Sequence, residues 1–179
     1  RRLYLAMFLV CPSIYMGLIF LPSYATGRGV SSGQAAVAAS VLGGGSAAGR
    51  LVLSAVAART GPGAPFRASL GLLVLSLAVW LVAGTSYPLL LAYAAIAGTG
   101  YGGTIGLAPT VTATEFGREG LGAVLGGLYT AFGAGALLTG PLAGAAIDRW
   151  GHRPTFAVVG LMTAAAVAVV PRTERAPAR

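Results

Sequence analysis

Few residues in this chain are able to do chemistry. One histidine, one cysteine and four carboxylates accompany twelve arginines, and there is no lysine. The carboxylates are Glu115, Glu119, Asp148 and Glu174, and the histidine is His152. All five stand in short polar stretches between or beyond long apolar runs. Metal coordination needs several His, Cys, Asp or Glu donors at ligand spacing, and none occurs, so neither a metal nor another cofactor is expected. Cys11 has no partner for a disulfide within the chain. Serine-type catalysis needs a serine and a histidine within hydrogen-bond reach. Ser46 lies inside an apolar run and His152 in a polar loop, so an enzyme is not expected.

Arg50 is the one permanently charged side chain well inside an apolar run. Arg59 marks the end of that run, nine residues on. At about 1.5 Å per helical residue, Arg50 would lie roughly 13 Å deep, near the midplane of a hydrocarbon core about 30 Å thick. A charge at that depth is expensive unless it meets a partner or faces a polar cavity. Gly43, Ser46, Arg50, Ser54 and Ala57 recur at steps of three and four, and so share one small, weakly polar helical face. No carboxylate stands in any apolar run. The partner of Arg50 is therefore a missing segment, a backbone carbonyl or an anionic solute. A guanidinium suits a carboxylate because its planar fork donates two parallel hydrogen bonds.

The elements that must position this arginine are membrane spans. Of 179 residues, 56% are hydrophobic and 9% charged, whereas soluble domains carry about 25% charged residues. The pattern predicts an all-α membrane protein, a bundle of six transmembrane helices near residues 3–25, 34–58, 67–83, 87–111, 121–147 and 155–170. Short polar links force neighbouring spans to run antiparallel. The net charge of +8 comes from arginines spread singly between spans, without a basic helix face or interleaved aromatics, which excludes nucleic acid as a partner. Arg1, Arg2, Arg59, Arg67, Arg118, Arg172, Arg175 and Arg179 fall on one side, and only Arg28, Arg149 and Arg153 on the other. That bias predicts both ends of the chain in the cytoplasm.

Glycine is frequent, at 28 residues, and clusters in the second, fourth and fifth spans, where small residues let helix backbones approach closely. Gly98-Thr99-Gly100-Tyr101-Gly102-Gly103 matches the dinucleotide pattern GxGxxG. That motif works only between a strand and a helix; inside an apolar span the match is accidental.

Several segments resemble the C-terminal half of the major facilitator superfamily, within it most closely the monocarboxylate-transporter and oxalate/formate-antiporter branches. Phe20-Leu21-Pro22-Ser23-Tyr24-Ala25 with Gly29-Val30-Ser31 is similar to the end of the seventh helix. Gly49-Arg50-Leu51 resembles the eighth-helix Gly/Ala-Arg element. Gly100-Tyr101-Gly102-Gly103 through Pro109, with Glu115-Phe116-Gly117, resembles the tenth. Gly126 to Gly133 and Gly140-Pro141-Leu142-Ala143-Gly144 resemble the eleventh. Gly144 to Arg153 spells GxxxDRxGxR, like the family's cytoplasmic gating motif, yet falls on the outer side here. Ser54 to Gly61 is its better-placed counterpart, with Ala58 where an acid is usual.

The resemblance implies a twelve-helix secondary transporter working by alternating access. Residues 1–179 would be its C-terminal six-helix half, with the N-terminal half missing. It implies substrate contact by Arg50, with Ser46, Tyr15, Tyr101, Tyr129 and Phe132 as the other expected binding residues and Arg59 and Gly61 as gating elements. Proton-coupled carriers usually carry Asp at the position of Ser46, and oxalate-type antiporters Lys at that of Phe132. The expected substrate is a small organic monocarboxylate. The expected partners are the lipid bilayer, the missing half and that anionic solute, in a plasma membrane, the bacterial inner membrane. The alternatives are an efflux carrier of a neutral or hydrophobic compound with Arg50 structural, and a non-transporting membrane sensor or scaffold.

Overall fold

The structure is a computed structural model and describes residues 2–170. Arg1, Arg172, Arg175 and Arg179, used in the orientation argument, lie outside the described residues. Six helices follow one another: α1 Arg2–Thr26, α2 Ser32–Thr60, α3 Gly63–Ala83, α4 Tyr87–Phe116, α5 Leu121–Trp150 and α6 His152–Val169. Each is long and apolar enough to cross a membrane.

Two boundaries differ from the sequence reading for identifiable reasons. α3 starts at Gly63, four residues before the expected Arg67, because Pro62 and Pro65 sit at its cap and first turn, where a missing N–H costs nothing. α4 continues five residues past Val111 to Phe116. There Thr112 and Thr114 turn their hydroxyls back onto Ala108 and Thr110 carbonyls of their own helix, so the polar residues join the helix instead of leaving it. α2 begins with a capping box between Ser31 and Gln34, which satisfies orphan backbone donors at the helix start. It ends at Gly61, whose φ of 89° is one that an L side chain rarely adopts.

The packing has an internal symmetry. α4 packs on α2 and α3, α1 packs on α5 and α6, and α3 meets α6. Exchanging α1, α2 and α3 for α4, α5 and α6 carries these pairs onto one another. Three crossings separate α1 from α4, so the two triplets enter the membrane from opposite faces, an inverted repeat of the kind that transporter folds use.

Two apolar clusters hold the triplets together. One gathers Leu3, Met7, Phe66, Leu70, Leu107 and Phe132. The other centres on aromatic rings at the opposite end of the bundle. In that cluster Trp80 stacks on Phe156 at 4.3 Å between centroids and 11° between planes, with Tyr24 and Tyr93 against its other sides. Such aromatic pairs add about 0.5–1.5 kcal/mol beyond their area burial.

Candidate functional site

The surroundings of Arg50 are set by how α2 lies on α4. A Cβ added at Gly98 would strike the backbone of Leu42, and one at Gly102 the backbone of Ser46. One at Gly106 would come within 3.4–3.5 Å of Arg50 Cα, Cβ and Cγ. Each pair differs by 56 in number, so the helices run parallel in constant register, with glycine at every fourth position of α4 beneath α2. Gly45 and Gly49 answer from α2, meeting the backbone of Ala95 and Thr99. Backbone-to-backbone contact of this kind is available only to small residues.

That register separates residues which sequence spacing had grouped. Ser46 and Ala57 are buried, whereas Gly43, Arg50 and Ser54 are exposed. The predicted polar stripe therefore straddles the edge of the α2–α4 contact. Ser46 belongs mainly to the helix interface, and Arg50 sits at its border. The bare Gly106 lets the arginine stem lie against α4. Ten residues separate Arg50 from Thr60 at the end of α2, roughly 15 Å at about 1.5 Å per residue. Among the described residues no Asp or Glu stands at that level of a helix, since Glu115 and Asp148 lie in the last turns of α4 and α5.

The expected aromatic residues lie on α1, α4 and α5. Tyr15 and Tyr101 are half-buried against the first apolar cluster. Phe132 is buried in the same cluster, and Tyr129 is 42% exposed beside it, with ring centroids 6.3 Å apart. Phe132 is thus principally a core residue, and Tyr129 is the one with an open face. Arg59 is exposed and held by a polar or electrostatic contact. The α2–α4 register puts it level with Glu115.

Sequence reasoning did not anticipate that the glycines fall into two populations. Gly45, Gly49, Gly98, Gly100, Gly102 and Gly103 are jammed against neighbouring helices, while Gly43, Gly44, Gly122, Gly126, Gly127 and Gly133 have nothing within 4 Å. The four-residue spacing of Gly98, Gly102 and Gly106 against Leu42, Ser46 and Arg50 was the signal available for the first set. The second set leaves α2 and α5 with open, small-residue faces.

An inverted repeat of membrane-crossing helices, with one guanidinium at mid-depth and open faces on α2 and α5, defines a domain of the membrane-transporter class. The comparison with protein families agrees. The family model of the Major Facilitator Superfamily matches residues 3–179, and the chain belongs to that superfamily, a multi-pass membrane family of transporters and not of enzymes. Among curated proteins no match is found.

Proposed function

We propose that this chain is the C-terminal half of a secondary carrier for a small organic monocarboxylate, working by alternating access between it and an N-terminal six-helix half. Arg50 supports the reading most directly. It is a permanent cation, exposed at mid-depth in an apolar helix, with no acidic residue at its level among the described residues. Ionisable groups at such depth mark solute pathways, and a guanidinium fork fits a carboxylate. Tyr15, Tyr101 and Tyr129 offer hydroxyls on other helices for the rest of the solute, and Ser46 and Phe132 complete the proposed set. Arg59 and Gly61 close the same helix at the expected cytoplasmic gate. The missing half covers the open faces of α2 and α5. The arginine bias supports an orientation with both ends of the chain on the cytoplasmic side.

The test is carboxylate binding by Arg50→Lys and Arg50→Ala in the full-length carrier, measured beside melting temperature. Loss of one charge-assisted two-point contact costs about 2–4 kcal/mol, roughly 30- to 1000-fold in apparent affinity. Lysine should fail to restore it despite keeping the charge. Normal carboxylate affinity in a well-folded Arg50→Ala carrier would remove this residue from the site and leave the neutral-compound efflux reading in its place.

A further inference from the structure

Away from Arg50, a crevice of about 220 Å³ runs between α1, α5 and α6. It exists because α5 and α6 each pack well on α1 but only lightly on each other. Phe8 and Met16 of α1, Leu142 and Ala143 of α5, and Val158 and Met162 of α6 form its walls, which are apolar almost throughout. On α5 the lining extends from Gly135 to Trp150, fifteen residues or roughly 22 Å at about 1.5 Å per residue. Half of a hydrocarbon core about 30 Å thick is about 15 Å. The crevice therefore spans the depth of one lipid leaflet, starting at the membrane face where α5 ends.

Its mouth carries a cation. Trp150 is 62% exposed there, at the depth where indole rings favour the membrane interface. Arg149, exposed, stands seven residues from Leu142 and three from Ala146, both of which line the crevice, and so shares their side of α5. Asp148 falls on another side of the helix. Arg153 is already committed, donating from its Nη2 to the Leu81 carbonyl of α3 at 3.2 Å. A helix about 10 Å across is too thick for a space of this volume. A smaller apolar cavity, about 150 Å³, stays dry and takes up hydrocarbon.

We propose that this crevice is a binding site for an anionic phospholipid of the surrounding bilayer, one acyl chain between α5 and α6 and the phosphate at Arg149. The site is independent of the Arg50 reading, because it needs no solute and is lined by none of the residues proposed to bind one. The intact carrier in nanodiscs of mixed phosphatidylglycerol and phosphatidylcholine tests it, each lipid in turn carrying a photoreactive diazirine in mid-chain. Crosslinks should concentrate at Leu142 and Met162 above the level at Leu75 and Val82, exposed residues of α3 that serve as bulk-lipid references. One arginine near an anionic headgroup should favour the phosphatidylglycerol probe about fivefold. Arg149→Gln should bring that preference to about one without lowering chain labelling. Ala143→Phe, which fills the crevice, should remove the excess labelling. Two results would overturn the proposal: groove labelling no higher than at the references, or a headgroup preference unchanged in Arg149→Gln.

Discussion

Replacing one hydrogen by a methyl group at Gly102 and, separately, at Gly126 should move stability in opposite directions. At Gly102 the new Cβ would collide with the Ser46 carbonyl oxygen, and would lie 2.6 and 2.8 Å from the Ser46 carbonyl carbon and Cα. Carbon atoms in good contact stand about 3.5–4.0 Å apart, so α2 and α4 must separate by about 1 Å. No rotamer change relieves this, because the obstacle is main chain. Overpacking costs about 1–3 kcal/mol, and the gap opened along Leu42, Gly45 and Gly49 puts this case at the upper end, roughly a hundredfold in the folding equilibrium. At Gly126 nothing lies within 4 Å, and alanine gains about 0.5–1 kcal/mol over glycine in a helix interior. Thermal melting of both variants of the purified chain, in one detergent, provides the assay. A Gly102→Ala protein melting at or above wild type would refute the backbone-contact argument. A Gly126→Ala protein falling as far as Gly102→Ala would show that the face of α5 is already covered.

Orientation is open to labelling because Cys11 is fully buried and gives no background. A single cysteine at exposed Thr85 should react with an impermeant thiol reagent added outside intact cells, and one at exposed Arg118 should not; the reverse pattern would invert the topology. On the proposed two-half architecture, with the open α2 and α5 faces packed on the other half, the 179-residue chain alone should show no saturable uptake in proteoliposomes. Uptake by that chain as a monomer or homodimer would count against the need for one.

Much of the fold was legible because lipid imposes a strict rule. Backbone polar groups must be satisfied within each segment, so runs of apolar residues broken by Gly, Pro and Arg could only be helices. Boundaries slipped where polar residues joined a helix by bonding its own carbonyls, as Thr112 and Thr114 do. The site was less legible. Spacing alone puts Ser46 and Arg50 on one face, but only the position of α4 decides where along that face burial stops. Ser46 lies inside the boundary and Arg50 at its edge. Likewise the sequence counts glycines without saying which have a neighbour. Gly102 and Gly126 are both glycines in long apolar helices, yet one lies against main chain and the other is uncovered.

The inverted repeat is symmetric in its pairings but not in their chemistry. Between α2 and α4, glycines from both helices bring main chain against main chain in a fixed register. In the equivalent pair, α1 and α5, Gly135 instead meets the side chain of Cys11. Interior prolines occur in both pairs, Pro12 and Pro22 in α1, Pro141 in α5 and Pro109 in α4, each removing a hydrogen bond from its helix. The pairs therefore differ in what meets at their glycines: main chain between α2 and α4, a side chain between α1 and α5. Arg50 stands on the first pair over Gly106, and Tyr15 and Tyr129 on the second. On the proposed reading, the cation that meets the solute is set by a main-chain helix contact, and the tyrosines by side-chain packing.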